Sequence, residues 1–241
     1  DAILHFAGQS SGEISFDNPS YDLRTNTEST LRLINFALNN DCQRFIYASS
    51  MSVYGNVIDE PINEGHSCTP LSFYGVGKLA SEHYLRIYQS QGLKPTSLRI
   101  FNVYGPGQNL SNLRQGMISI YLAQLLKNNK IIVKGAPDRF RDFIYIDDVV
   151  KLTSMILNEN KSIGKIYNIG TGVRTSVNEV LEKLKILHDK EIEINFTDPT
   201  LGDQLGITAD ISLLKKDYDI EKFISLDDGL GKIYNWAKNE I

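Results

Sequence analysis

Cysteine and histidine are scarce in this sequence. Its 241 residues include two cysteines, Cys42 and Cys68, and four histidines. The cysteines have no C-x-x-C companion and no histidine cluster nearby, so we expect two reduced thiols and no metal site. Reduced thiols are typical of the cytoplasm, where we expect the protein to act.

Long apolar runs and an excess of positive charge are also missing. No apolar stretch approaches the roughly 20 residues that cross a bilayer, and no basic–apolar–small-residue signal opens the sequence. With 25 lysines and arginines against 29 aspartates and glutamates, the formal net charge is -4. Proteins that bind nucleic acids usually present a basic face, so we expect neither a nucleic acid nor a membrane as partner.

The hydrophobic pattern alternates short β-rich runs with longer amphipathic segments. Segments 2–7, 44–49 and 97–102 have the composition of strands buried on both faces. Segments 26–40 and 74–91 have helical spacing, and Gly92 stands where the second helix would end. Further strands are expected at 131–134, 143–146, 166–169 and 192–196, and further helices after Arg114, after Asp147, after Ser176 and from Ser225. This alternation predicts an α/β fold with a doubly wound parallel sheet.

A glycine-rich turn is the most informative absence. Folds that bind dinucleotides begin with a strand, a glycine-rich turn and a helix whose N-terminus faces the pyrophosphate. No G-x-G-x-x-G or G-x-x-G-x-x-G follows an early strand here. At about 30 residues per βαβ unit, roughly 60 to 80 residues of such a fold would precede Asp1. We therefore expect a fragment; a fold that never had this half is the alternative.

Tyr74 and Lys78, in the segment YGVGK, indicate chemistry. Helix positions four apart share a face, so a phenol and an ammonium can point at one site. A tyrosine pKa near 10 makes a poor base at neutral pH, and a nearby cation favours the phenolate. Lowering that pKa by about 3 units needs roughly 4 kcal/mol, which Lys78 and a nicotinamide cation can supply together.

The same spacing also occurs twice in the C-terminal part of the chain. We interpret Tyr218/Lys222 and Tyr234/Lys238 as surface helix pairs, because neither follows a strand end. Tyr74 differs in context. Its helix follows SSMSVYG, residues 49–55, which leaves a buried strand at its carboxyl end, where ligands bind in open α/β sheets.

A serine completes a three-part catalytic group. Ser50 can hydrogen-bond the reacting hydroxyl, Tyr74 can act as general base and acid, and Lys78 can tune Tyr74. The alternative for Ser50 is a hydroxyl that caps a loop. We interpret His5 as a core histidine with its hydrogen bonds satisfied, and not as a catalyst.

Several ordered segments share one pattern: HFAG (5–8), NTEST (26–30), SSMSVYG (49–55), YGVGK (74–78), LRIFNVYGPGQ (98–108), RDFIYIDD (141–148), YNIGTG (167–172) and GDQLGITADIS (202–212). Together they resemble the extended short-chain dehydrogenases/reductases of the NAD-dependent epimerase/dehydratase family, along essentially the whole chain. The resemblance implies a Rossmann-like fold, NAD as cofactor, a nucleotide sugar as substrate, and a homodimer through the helices of segments 26–40 and 74–91.

The resemblance also implies roles for individual residues. Those expected to hold NAD are Phe6, Ala7, Gly8, Ala48, Ser49, Tyr74, Lys78 and Phe101. Those expected to contact the sugar nucleotide are Ser50, Ser52, Tyr74, Asn102, Val133, Arg141 and Asp203. Arg141 would bind a substrate phosphate; the alternative for it is a structural ion pair with Asp142 or Asp147.

Three positions depart from the family pattern. Met51-Ser52 stands where dehydratases carry an Asp-Glu pair, which disfavours dehydration. Thr200 replaces a second phosphate-binding arginine, for which Arg174 is a candidate substitute. Ser10 stands where similar epimerases often have a lysine for the NAD phosphate.

These observations lead to one hypothesis and two alternatives. We expect residues 1–102 to be the remaining part of an NAD-binding domain and residues 103–241 to be mainly a smaller α/β substrate domain, with some elements returning to the first. The expected activity is 4-epimerisation of a UDP-hexose through a transient 4-keto intermediate. One alternative is another sugar-nucleotide reaction of the family: decarboxylation, reduction or dehydration. The other is a truncated, non-catalytic binding fragment.

Overall fold

The structure is a computed structural model that describes residues 1–57 and 61–241. Its strands are β1 (Ala2–His5), β2 (Arg44–Ser50), β3 (Lys94–Ile100), β4 (Asn102–Tyr104), β5 (Lys130–Lys134), β6 (Phe140–Arg141), β7 (Phe143–Tyr145), β8 (Ile166–Ile169), β9 (Thr175–Ser176), β10 (Glu193–Thr197) and β11 (Gly206–Ile207). Its α-helices are α1 (Gly12–Ser15), α2 (Pro19–Leu23), α3 (Ser29–Asn39), α4 (Phe73–Tyr88), α5 (Met117–Asn128), α6 (Ile146–Leu157), α7 (Val177–His188), α8 (Ser212–Asp217) and α9 (Leu226–Glu240).

The main sheet has the strand order β1-β2-β3-β8, and all three pairings are parallel. Helices connect its strands, as parallel pairing requires. The expected α/β fold with a Rossmann-like parallel sheet is therefore confirmed. β8 joins this sheet although about 65 residues separate it from β3, which illustrates how a late element returns to the first part of the chain.

The remaining strands form small sheets beside the main one. β4 pairs with β7, and β5 pairs with β10, both in parallel. β6 lies between β11, which is parallel to it, and β9, which is antiparallel. These short pairings hold segments 102–104, 130–134 and 140–141 close to the carboxyl end of β3.

The prediction that all three early strands are buried on both faces was wrong for β1. β2 and β3 are almost wholly buried, but Leu4 in β1 is 45% exposed. Within the described residues β1 pairs with β2 alone, so its other edge has no strand against it.

Helix boundaries follow local capping. Pro19 occupies the first turn of α2, and Asn18 caps it by accepting a hydrogen bond from the Tyr21 amide. A π-helical turn, Arg24–Glu28, joins α2 to α3, so the predicted helix over 26–40 begins earlier than expected. Gly92 ends the helical segment with φ +97°, the left-handed conformation expected there.

The two C-terminal tyrosine–lysine pairs are not surface pairs. Tyr218 is 4% exposed and Tyr234 is 7% exposed, and each ring belongs to a buried apolar cluster. Tyr218 packs under the main sheet, and Tyr234 packs between α9 and α7, where its hydroxyl meets His188. Burial of the rings explains both tyrosines as core residues. No helix among the described residues is long and apolar enough to cross a membrane.

Candidate active site

Ser50 ends β2 and begins the turn that follows it. Its Oγ accepts a hydrogen bond from the Ser52 amide at 3.2 Å and lies 3.2 Å from Ser52 Oγ. This caps the 3₁₀ turn Met51–Val53, as the alternative interpretation of Ser50 requires. The cap leaves the hydroxyl at the carboxyl end of a central parallel strand, where the catalytic interpretation also needs it.

Two glycines let helix α4 approach this strand end. Ser72 caps the helix by accepting from the Gly75 amide at 3.1 Å. A Cβ on Gly75 would lie 2.5 Å from the Ser52 carbonyl oxygen, and a Cβ on Gly77 would lie 3.0 Å from Thr27 Oγ1. The glycines of YGVGK therefore permit close packing against the serine turn and the π-helical turn.

Helix α4 brings Tyr74 and Lys78 to Ser50. Tyr74 and Lys78 are 8% and 5% exposed. The Lys78 Nζ donates to the Ala48 carbonyl at 2.7 Å and lies 5.6 Å from the centre of the Tyr74 ring. The Ser50 hydroxyl is near enough to the Tyr74 phenol to favour its ionised form. The structure thus places the three sequence-predicted catalytic residues in one buried cluster.

Burial decides the proton affinities of this cluster. It raises the pKa of the Tyr74 phenol to about 12; the nearby Ser50 hydroxyl opposes the rise, and the charge of Asp22 adds to it. It also lowers the pKa of the Lys78 ammonium to about 8. The chain alone therefore does not lower the Tyr74 pKa, and the expected lowering by Lys78 and a nicotinamide cation together stays a prediction. Acidification needs an additional positive charge next to the phenol, as a nicotinamide ring would provide.

The segment after β1 fits a cofactor that approaches the backbone closely. Phe6, Ala7 and Gly8 are exposed and follow the carboxyl end of β1. Gly8 has φ +141°, and a Cβ there would overlap the Asn26 side-chain oxygen. Lys78 makes one hydrogen bond among the described residues, which leaves N–H groups for a ligand. This combination suits NAD.

Three other residues expected near NAD present little side chain to a ligand. Ala48 is 8% exposed, and the Ser49 hydroxyl is bonded to Glu82 at 2.5 Å. The Phe101 ring belongs to the apolar core. Contacts from these three positions stay a prediction, with the backbone as the part able to make them.

A pocket of about 610 Å³ opens beside the serine turn. Among the described residues, four cationic side chains and two carboxylates line it, although the whole chain has a net charge of -4. Local positive charge of this kind suits a diphosphate. The sequence-predicted substrate residues that line the pocket are Ser52, Asn102, Arg141 and Asp203.

Asn102, in the pocket lining, carries an unused acceptor. Its backbone N–H donates to the Asp142 carbonyl at 3.0 Å, but its buried side-chain Oδ1 has no hydrogen-bond partner among the described residues. A donor from a ligand can supply that partner. Val133, by contrast, is fully buried in β5, and the pocket wall there consists of Ile132 and Lys134.

Arg141 is tied to Asp203 and not to Asp142 or Asp147. Its guanidinium donates to Asp203 at 2.8 Å and to the Gln204 carbonyl at 2.9 Å. Arg139 forms a second ion pair with the same carboxylate. Asp142 instead accepts the amides of Thr171 and Gly172, both at 2.8 Å. The structural alternative for Arg141 thus exists, with a different partner from the two expected.

A strap of polar contacts crosses one end of the pocket. We use this name for the contacts of Ser10, Ser11, Glu13 and Asp17 with Arg114 and Gln115. The Ser11 hydroxyl donates to the Arg114 carbonyl at 2.7 Å, and the Arg114 guanidinium pairs with Glu13 at 3.0 Å and with Asp17 at 2.5 Å. The Gln115 amide donates to Ser10 at 2.5 Å. The strap joins segments about 100 residues apart.

Sequence reasoning missed several pocket residues, among them Glu13, Arg114, Tyr121, Gln124, Lys134 and Arg139. Arg139 had a usable signal, because it stands two residues before Arg141 on the same short strand region and so shares its direction. Arg174, the suggested substitute for the second phosphate-binding arginine, stacks on the Phe140 ring at 3.5 Å and is not part of the described pocket lining. No group of three or more potential metal ligands occurs among the described residues.

Residues 1–170 match the NAD dependent epimerase/dehydratase family. The chain is 29% identical to the UDP-glucose 4-epimerase of Mycolicibacterium smegmatis, covering 100% of this chain and 77% of that protein. It is 31% identical to the dTDP-4-dehydro-6-deoxyglucose reductase of Escherichia coli, and the match covers 96% of this chain and 73% of that protein. The structure of a UDP-glucuronic acid 4-epimerase from Bacillus cereus, in complex with UDP-glucuronic acid and NAD, superimposes with TM-score 0.93 at 28% identity, covering 100% of this chain and 76% of that one.

Proposed function

Because the chain belongs to the NAD dependent epimerase/dehydratase family, we propose that it is an NAD-dependent 4-epimerase of a UDP-hexose. The observation that carries the proposal is the cluster of Ser50, Tyr74 and Lys78 beside a pocket lined with cations. The relatives that act on UDP-sugars and the neighbour that binds NAD support the same assignment.

Tyr74 is the general base and acid of the proposed reaction. NAD, when bound, would supply the hydride acceptor and donor that inversion at C4 of the sugar requires. Tyr74 Oη takes the proton of the C4 hydroxyl and later returns it, while Ser50 Oγ holds that oxygen in place. Lys78 adds positive charge beside the phenolate. Burial is the main cause that raises the Tyr74 pKa to about 12, so further positive charge bound beside the phenol would favour the phenolate.

The cationic end of the pocket holds the nucleotide. We assign the diphosphate to Arg139 and Arg141, with Asp203 between them positioned for a ribose hydroxyl. Asn102 lines the same pocket, and its unused Oδ1 can accept a hydrogen bond from the sugar nucleotide. Room for the sugar to turn between the two hydride transfers comes from the pocket volume of about 610 Å³.

Tyr74→Phe tests this assignment. Removing the hydroxyl should lower kcat for the interconversion of UDP-glucose and UDP-galactose by about 1,000-fold, within the range of general acid–base catalysis. Tyr88→Phe, on the same helix but half-buried near its end, is the control and should retain full activity. A Tyr74→Phe enzyme that keeps most of its rate would overturn the proton-transfer role.

Measuring NADH consumption distinguishes epimerisation from the reduction that the name of the Escherichia coli relative indicates. Net reduction consumes one NADH per sugar, whereas epimerisation leaves total NAD and NADH unchanged. Met51-Ser52 disfavours dehydration, since a general acid and base pair is missing there. A non-catalytic binding protein would bind UDP-sugar and show no turnover with any UDP-hexose, even when NAD is supplied.

We further propose a homodimer. Helices α3 and α4 lie side by side, and they present exposed apolar side chains outward: Phe36, Phe73, Val76 and Ile87. A second copy can cover this face as a four-helix interface. Paired Phe36→Glu and Ile87→Glu substitutions should then halve the mass measured by light scattering.

We also propose that residues 1–102 hold NAD and residues 103–241 hold mainly the sugar nucleotide. The pairing of β8 with β3 supports the return of later elements to the first part. The cytoplasm is the proposed compartment, because Cys42 and Cys68 are both free thiols and pack against different apolar clusters.

A further inference from the structure

Asp22 is a buried carboxylate for which the described residues provide no ion-pair partner within 4 Å. It lies on α2 and is 1% exposed. Its Oδ1 accepts from Gln9 at 2.7 Å and from Asn26 at 3.0 Å, but its Oδ2 has no hydrogen-bond partner among the described residues. Taking an ionised carboxylate out of water costs several kcal/mol unless another charge compensates it. Its position therefore calls for a compensating charge nearby.

Lys78 is the matching buried cation. It is 5% exposed, donates to the Ala48 carbonyl, and has no carboxylate within ion-pair distance among the described residues. The turn of α4 that carries it packs against α2 through Gly77. A Cβ on Gly77 would lie 3.6 Å from Asp22 Oδ2, so the carboxylate approaches the helix where a side chain is absent. Two opposite charges thus share one dry region without touching.

Other groups cannot replace Asp22 in this role. Glu82 also faces Lys78, but its carboxylate is bound by the Arg99 guanidinium at 2.7 Å and by Ser49 at 2.5 Å. Burial lowers the pKa of Lys78, and the attractions of Asp22 and Glu82 limit the fall. The remaining titratable side chains around the pair are His5 on β1, Tyr47 on β2 and Tyr74 on α4. Burial holds all three in their neutral forms near neutral pH.

We propose that Asp22 is a positioning residue that keeps Lys78 in its charged form through space. The inference rests on the proposed function for its catalytic meaning, since a neutral Lys78 could not stabilise the Tyr74 phenolate. The Asp22 charge itself raises the pKa of Tyr74, so Asp22 helps the phenolate only through Lys78. The proposal predicts that the negative charge of Asp22, and not the shape of its side chain, keeps Lys78 protonated.

The test is a direct titration of Lys78 in the full chain. Asp22→Asn keeps the shape of the side chain and leaves one oxygen to accept from Gln9 and Asn26. With [13C]lysine, the Lys78 signal is identified by its loss in Lys78→Arg. Asp22→Asn should lower the Lys78 pKa by about 1 unit, because the ammonium loses its attraction to a negative charge. Glu28→Gln removes an exposed carboxylate paired with Arg32 and should leave that pKa unchanged.

A reciprocal titration covers the case in which Asp22→Asn does not fold. If the two charges interact, Lys78→Met must raise the Asp22 carboxyl pKa by the same amount that Asp22→Asn lowers the Lys78 pKa. An Asp22 pKa that does not move in Lys78→Met, or a Lys78 pKa that does not move in folded Asp22→Asn, overturns the inference.

Activity then separates this inference from the proposed function. In Asp22→Asn, kcat should begin to fall with rising pH about 1 pH unit earlier than in the parent enzyme. A defect of folding alone would lower kcat equally at every pH, with no movement of that limb, and would count against the inference. A chain inactive on every UDP-hexose, with both NMR shifts as expected, would contradict the proposed function and leave the charge coupling intact.

Discussion

The two ends of the site are built on different principles. At the catalytic end, Tyr74, Lys78 and Asp22 are buried, and Lys78 and Asp22 have hydrogen-bonding capacity unused among the described residues. At the nucleotide end, Arg139, Arg141 and Asp203 saturate one another with ion pairs. The catalytic end can bind a ligand without breaking existing contacts, because its polar groups still have hydrogen-bonding positions to offer. Under the proposed function, the nucleotide end would have to exchange existing partners for phosphate, so much of its binding energy would replace interactions already made.

Lys78→Met should produce the largest effect. Without the ammonium, the buried phenolate loses its protein cation, and we expect kcat to fall by about 1,000-fold. Lys238→Met is a matched control, because the Lys238 Nζ lies 5.5 Å from the Tyr234 ring, almost the same spacing as in the Lys78 pair. Steady-state kinetics on UDP-glucose measures both. Equal losses in the two variants would contradict a special role for the catalytic end.

The protonation of His5 should reveal how dry the catalytic end is. His5 is 4% exposed, contacts Thr30 Oγ1 at 3.0 Å, and burial lowers its pKa from 6.5 to about 4. This confirms it as a core histidine. Between pH 6.5 and pH 4, His5 is protonated in the unfolded chain but stays neutral in the folded chain. The free energy of unfolding therefore decreases as the pH falls through that window.

His5→Gln should remove this pH dependence. Over pH 6.5 to 4.5 the histidine contributes about 2 kcal/mol to the decrease in the free energy of unfolding. Urea titrations at both pH values should show a smaller decrease in the variant than in the parent chain. An identical decrease in both proteins would mean that His5 is hydrated and that the catalytic end is less dry than described.

Gly75→Ala should perturb the catalytic end more than Gly77→Ala. The new methyl at 75 would meet the Ser52 carbonyl oxygen, part of the backbone, at 2.5 Å, whereas at 77 it would meet Thr27 Oγ1 at 3.0 Å. We expect Gly75→Ala to cost about 2 kcal/mol of unfolding free energy. Gly77→Ala should be nearly neutral, because the gain in helix propensity offsets its tighter contact. If urea titrations gave equal losses of unfolding free energy for the two variants, the serine turn would have shifted to make room for the new methyl group on the helix.

Arg141→Met should have the smallest effect, and it tests the nucleotide end. We expect the Kd for UDP to rise about 10-fold with kcat nearly unchanged, because Arg139 still balances Asp203 and the chemistry lies elsewhere. Arg174→Met is the control and should bind UDP normally, because the Arg174 guanidinium stacks on Phe140 outside the described pocket lining. Calorimetric titration with UDP distinguishes them. A larger loss of UDP affinity in Arg174→Met than in Arg141→Met would indicate that Arg174 binds the phosphate.

The sequence predicted the frame of the molecule better than its polar contacts. The parallel strands at 44–50, 94–100 and 166–169 follow from apolar runs, and the three-residue catalytic cluster follows from a strand end and helical spacing. Asp203 as the partner of Arg141 could not be predicted, since it depends on how β11 lies beside β6. The effect of burial on the Tyr74 pKa could not be predicted for a similar reason: spacing reveals a neighbouring charge, but desolvation depends on what covers the group.

The strap has a kinetic consequence. Arg114 and Asp17 are 39% and 55% exposed in their side chains, so dissolved salt reaches and screens their attraction. The strap closes one end of the pocket with contacts that ions can loosen, while the core beneath it does not respond to ions. Ionic strength should therefore set how fast nucleotides exchange with solution without altering the proton chemistry, and turnover limited by product departure would quicken in salt.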